Sequence, residues 1–250
     1  MSSSSLRAPG SLRRTGVLRT AASENLRRWP WLLLVALLAV VCAVPLWKAM
    51  TAPASLDDVA LVGDRGPGCV RVVVANDQSG SMSAFALPRE QALAQFVNWA
   101  PDNLRPDDEL AVFAFADHVQ TVLEPVSVTS RPTIGSLNID GGDTLFAPVI
   151  SAAAHLPPTP CRTAVVLLSD GLMSDLTGDP DAGRAQVRAA GISDLFLLVP
   201  GDDIDVAPEW AQTYPYAGPM RFDGTDPQET GLVFGRVLAT VTGQTLEKHQ

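Results

Sequence analysis

Val70-Arg71-Val72-Val73-Val74-Ala75-Asn76-Asp77-Gln78-Ser79-Gly80-Ser81-Met82 is the stretch on which the reading of this chain turns. The mostly apolar run 69–75 has the composition of a strand buried on both faces. Asp77, Ser79 and Ser81 follow where that strand ends and a loop begins. Two later segments supply matching oxygens, Gly141-Gly142-Asp143-Thr144-Leu145 and Val165-Val166-Leu167-Leu168-Ser169-Asp170-Gly171. The best-placed groups are two carboxylates and three hydroxyls, with no His and no Cys. Such a set suits a small hard cation such as Mg²⁺, which takes oxygen ligands in near-octahedral geometry.

Outward from this stretch, strand and helix patterns alternate. Strands are predicted at 70–75, 110–116, 119–125, 163–169 and 194–199, with a short one near 220–222. Helices are predicted at 88–103, 144–154, 181–190 and 227–243. Apolar strands between amphipathic helices make an α/β fold: a doubly wound, mostly parallel six-stranded sheet covered by helices on both faces. Ligands of open α/β sheets bind beyond the carboxyl ends of the strands at a switch point, and Asp77 and Asp170 both fall at such ends. No internal repeat is present.

The three oxygen-bearing pieces, in this order and spacing, resemble the von Willebrand factor type A domain with its metal-ion-dependent adhesion site. The resemblance covers roughly residues 68–245 and implies a Rossmann-like sheet. In the family two serines and a threonine approach the metal, and two aspartates act directly or through water. One coordination position stays open for a partner's carboxylate. Residue by residue this implies Asp77, Ser79, Ser81, Thr144 and Asp170 as the metal set, for Mg²⁺ or Mn²⁺. Neutral hydroxyls leave the ion electrophilic, while the aspartates tune it from further out. Two departures stand out. Asp143 lies between the glycines and Thr144, where it is expected to cap the following helix, the alternative being a further carboxylate behind the metal, and Asn76 is polar before Asp77. Gly80, Gly141, Gly142 and Gly171 are expected to give the loops their tight turns, and Thr144 to open the helix that follows it.

In the fold this resemblance implies, the first and fourth strands are parallel neighbours. Cys69 lies eight residues before Asp77 and Cys161 nine before Asp170. Both cysteines then fall side by side at the opposite end of the sheet, within the reach of a disulfide. The alternative is two buried thiols.

The 250 residues are 46% apolar and carry a net charge of −9. The charge is uneven: residues 1–48 hold seven Lys or Arg against Glu24 alone, whereas residues 49–250 hold 11 against 26 acids. So acidic a domain lacks the positive surface that nucleic acid requires. Residues 29–47 are free of charge and, as a helix, rise about 28 Å, close to the ~30 Å bilayer core. Trp29, Trp31 and Trp47 stand at its ends, and six arginines precede it. The expected arrangement is a basic cytoplasmic tail (1–28), a single transmembrane helix (29–47), a linker (48–67), an extracytoplasmic domain (68–245) and a short tail (246–250). The alternative is a cleaved signal cut around residues 49–54. Cys42 reads as an apolar residue of the span.

The expected function is a membrane-anchored binding module, not an enzyme, that captures a protein partner through its Asp or Glu on the metal. Two alternatives remain open: an accessory subunit that assembles or loads metal into a larger complex, and a metal-dependent hydrolase. The acidic loops holding Asp175, Asp179 and Asp181, and Asp202, Asp203 and Asp205, read as a rim for a basic partner, a second cation site (Ca²⁺ on Asp179 and Asp181), or solvated surface. His118, His155 and His249 lack metal-ligand spacing. Neither a Gly-x-Ser-x-Gly elbow nor a phosphate-binding loop is present.

Overall fold

Alternation along the opening run places Val70, Val72 and Val74 in one hydrophobic core and Val73 and Ala75 in a second. The computed structural model describes residues 33–35, 37–39, 53–137, 139 and 142–249. They divide into two units, Met1–Ala52 and Pro53–Gln250. In the first, residues 33–35 and 37–39 are helical, and Leu33, Leu34, Val35, Leu37 and Leu38 are exposed. Among the described residues no helix is long and apolar enough to cross a membrane. The basic tail and most of the expected span, with Trp29, Trp31, Cys42 and Trp47, lie outside the described residues, as does Gly141.

The second unit runs through β1 (Val59–Val62), β2 (Val70–Asp77) and a 3₁₀ stretch (Gly80–Phe85) into α1 (Ala86–Asn103). Next come β3 (Glu109–Phe115), β4 (Val119–Ser127), α2 (Ala147–His155), β5 (Arg162–Leu168) and α3 (Pro180–Ala189). The chain closes with β6 (Ile192–Val199), α4 (Pro208–Thr213), β7 (Pro219–Arg221), α5 (Pro227–Thr242) and β8 (Thr245–Lys248). Six strands form one sheet in the order β4-β3-β2-β5-β6-β7. All neighbours are parallel except the edge pair β3–β4. From β2 the chain turns toward β3, and from β5 it turns the other way toward β6. The switch point therefore lies between the ends of β2 and β5.

One core lies beneath α1 and α5, the other beneath α2, α3 and α4. Local signals set the helix ends. Asp179 and Asp226 accept backbone N–H bonds as N-caps, each followed by a proline at the first helical position. Gly243 closes α5 in the left-handed region at φ 74°. Pro125 is tolerated in β4 because Glu124 and Pro125 bulge opposite the single residue Ala111 of β3.

Cys69 and Cys161 are joined by a disulfide, with Cα atoms 4.6 Å apart. The register explains it: Val70 pairs with Arg162, so the residues just before them meet below the sheet. Beside them Asp108 is fully buried, accepting both guanidinium nitrogens of Arg65, Val70 N (2.8 Å) and Arg105 N (2.7 Å).

The domain begins earlier than expected. Residues 53–67, read as linker, belong to the second unit. Leu56 is fully buried against α5, where Gly231 and Gly235 leave room for it; a Cβ on Gly235 would lie 2.9 Å from Leu56 Cδ1. The indole of Trp99 donates to Val59 O at 2.7 Å. β1 then pairs antiparallel with β8, which takes up residues read as tail. A pattern only four residues long carries too little periodicity to be seen in advance.

Candidate metal centre

The site is built where β2 and β5 end. Asp77 closes β2 and is fully buried, while Ser79 and Asp170 are buried and Ser81 is exposed. Asp77 Oδ1 accepts the backbone N–H of Ser79 at 2.8 Å. That bond folds the chain back so that Ser79 Oγ and Ser81 Oγ stand 3.1 Å apart. Asp77 Oδ2 accepts the hydroxyl of Ser169 at 2.6 Å. Ser169 is itself fully buried and accepts Gly171 N at 3.1 Å, and Asp170 Oδ1 accepts Leu172 N at 3.0 Å.

Charge is concentrated here. Burial pushes the Asp77 carboxyl above its usual range, opposed by hydrogen bonds from Ser169 and Ser79 and reinforced by the neighbouring charge of Asp170. Arg89 of α1, 2% exposed, reaches back to donate to Asp77 O. Its burial brings the guanidinium down to about 10, with Asp77 pulling it back up, so it is charged at neutral pH. Two buried carboxylates against one buried guanidinium leave a residual negative charge facing the hydroxyls.

Thr144 arrives from the middle segment and is buried. Leu145 N donates to Ala116 O at 2.9 Å, and Ser174 N donates to Thr144 O at 3.1 Å. Asp117 also accepts the backbone N–H of Gly142, and its bond with His118 holds its carboxyl below the usual range. With its carbonyl and its neighbour's N–H spent on these loops, Thr144 does not open the helix: α2 starts three residues later, at Ala147. Nor does Asp143 cap it. Asp143 Oδ1 accepts Thr144 N at 2.9 Å and Oδ2 accepts Ser174 Oγ at 2.8 Å. The cap comes from Asp175, whose two oxygens accept Phe146 N (2.9 Å) and Ala147 N (2.7 Å).

Of the glycines, Gly171 is the one the site demands. Its φ is +75°, and a Cβ would lie 2.8 Å from Val206 Cγ1. Gly80 and Gly142 have ordinary φ and open space around a Cβ. The acidic loops divide by use. Asp179 Oδ1 caps α3, accepting Asp181 N at 2.9 Å. Asp202 and Asp203 line a cavity of about 530 Å³ with Phe85, Arg221, Asp223 and Glu229.

The donor set fits a small cation. Two oxygens sharing an octahedral Mg²⁺ at ~2.05 Å lie about 2.9 Å apart, close to the 3.1 Å of the serine pair. Among the described residues no three His, Cys, Asp or Glu side chains gather as a metal group; the remaining oxygens of the donor set are hydroxyls. Ser169, Arg89 and Ser174 were not singled out from sequence, and Asp175 was read only as part of an acidic loop. Arg89 had a signal, since it occupies the α1 stripe continued by Leu93, Phe96 and Ala100, where an apolar residue is the rule.

This sheet order, with its antiparallel edge strand and flanking helices, fits the von Willebrand factor type A fold. Among solved structures, the chain is similar to von Willebrand factor type A from Catenulispora acidiphila, at 18% identity and TM-score 0.53 over 74% of this chain and 50% of that one. It is similar also to proximal thread matrix protein 1 from the mussel byssus, at 17% identity and TM-score 0.50 over 76% of this chain and 50% of that one. At such identities the likeness is one of fold. The chain spans about half the length of these two structures. No protein-family model and no curated protein matches it.

Proposed function

We propose that this protein is a membrane-anchored, extracytoplasmic binding module that captures a protein partner through an Asp or Glu of that partner. Asp77, Ser79, Ser81, Thr144 and Asp170 would hold Mg²⁺, with Mn²⁺ as a substitute. The bound ion would supply an electrophilic position for an outside carboxylate. The observation that carries this reading is the serine hydroxyl pair, spaced as two octahedral ligands beside the buried Asp77. The protein's own groups organise the site: Ser169 orients Asp77, and Arg89 offsets one of the two buried negative charges.

Two further observations support the rest. The described helical residues of the first unit present only apolar side chains, all exposed, as a segment meant for lipid would. Asp202, Asp203 and Asp223 give the face a negative cavity wall, which favours a partner whose acidic anchor is flanked by basic residues. The test is a capture experiment from native membranes with the full-length chain, in Mg²⁺ and in chelator, with Asp77→Ala alongside. The same protein should be recovered in Mg²⁺ and lost in both other arms. Recovery that survives chelator and Asp77→Ala ends this reading.

A further inference from the structure

Ser174 and Asp175 lie four and five residues past Asp170, and between them they make four bonds to the segment that carries Thr144. Ser174 N donates to Thr144 O at 3.1 Å, and Ser174 Oγ donates to Asp143 Oδ2 at 2.8 Å. Asp175 then accepts the N–H groups of Phe146 and Ala147 at 2.9 and 2.7 Å. Phe146, the N-cap residue of α2, supplies no side-chain cap of its own. The first turn of α2 is thus closed by a carboxylate that arrives 28 residues later in the chain. Met173, 5% exposed and packed in the core beneath α2, α3 and α4, pins the base of the same loop.

From this we infer that Ser174 and Asp175 are positioning residues: they latch the Thr144 segment to the Asp170 loop, so that two of the three oxygen-bearing segments are held in register before a cation arrives. The inference rests on the metal site proposed above. It assigns the cation affinity of that site in part to two residues that would not touch the ion. The physical reason is pre-organisation. Thr144 is held through its own backbone N–H and carbonyl, by Asp143 and Ser174, and a free loop would have to be ordered at the moment of binding. With the latch made, that ordering is completed during folding. Asp175 is the stronger half, because its charge faces the unpaired N–H groups of a helix start.

The experiment is calorimetry of Mn²⁺ uptake by the full-length chain, compared with Ser174→Ala, Asp175→Ala and Asp175→Asn, each also melted without metal. Asp175→Ala should weaken Mn²⁺ roughly tenfold, in the range typical of residues that orient ligands. Asp175→Asn keeps an acceptor oxygen and should recover part of that loss. Hydrogen exchange at Phe146 and Ala147 in the metal-free chain should quicken in Asp175→Ala and recover in Asp175→Asn. If Asp175→Ala does not fold, Ser174→Ala and Asp175→Asn carry the comparison. Wild-type affinity in the folded variants overturns the latch and leaves the metal site standing. No Mn²⁺ uptake by the wild-type chain overturns both.

Discussion

Ser169 donates a 2.6 Å hydrogen bond to Oδ2 of Asp77, joining the ends of two neighbouring parallel strands across the switch point. Asp77 is thereby fixed from two sides, since Ser79 N occupies its other oxygen. Ser169→Ala should leave the fold intact and cost about 1–2 kcal/mol of stability, as a buried carboxylate loses a partner. Mg²⁺ affinity should fall roughly tenfold. Denaturant melts and calorimetry check the two effects separately; unchanged affinity would mean that Ser169 does not orient Asp77.

Metal itself should stabilise the chain. At 100 times its Kd, Mg²⁺ adds ~2.7 kcal/mol, which raises the melting temperature of a domain this size by roughly 5–10 °C. Ser79→Ala with Ser81→Ala removes both hydroxyls of the 3.1 Å pair and should abolish the shift. A shift of the same size in the double variant would place the ion elsewhere.

The disulfide and the metal centre should act independently. Cys69 and Cys161 close a separation of 92 residues. Replacing both with Ser should cost about 4.6 kcal/mol by the chain-entropy argument. Metal affinity should stay within about twofold, because the bond lies at the far ends of β2 and β5, and well-separated sites add independently. Mass spectrometry of the unreduced domain should find Cys69 and Cys161 unavailable to alkylation; two labelled thiols would refute the bond.

Leu56 gives a stability test for the early start of the domain. It is fully buried, with Gly231 and Gly235 shaped around it. Leu56→Ala should cost about 2–4 kcal/mol, measured by urea unfolding. A loss under about 0.5 kcal/mol would return residues 53–62 to the status of linker.

The sheet was legible because its central strands are buried on both faces, so β2, β3 and β5 read as mostly apolar runs. The disulfide followed from the cysteine spacing together with the strand adjacency that the family resemblance implies. Shorter pieces escaped. α4 has six residues, and β1 and β8 have four each, all stabilised by contacts remote in sequence. The helix at Thr144 was misplaced by three residues because its cap, Asp175, is not local. An N-cap drawn from another loop leaves no trace in the capping pattern. Arg89 was missed for the opposite reason: its neighbours promised a purely apolar stripe, and only the folded β2 shows the carbonyl that it serves.

The route by which the polypeptide enters the domain bears on mechanical load. From Pro53 the chain lies against α5 through Leu56, meets α1 at Trp99 and joins β8 before it becomes β2. A pull on the upstream end is therefore borne first by this clasp, and the central sheet stays slack until the clasp yields. On the proposed function, tugging on a captured partner and tugging on the tether would strain different parts of the molecule. Its grip would outlast the first give in its moorings.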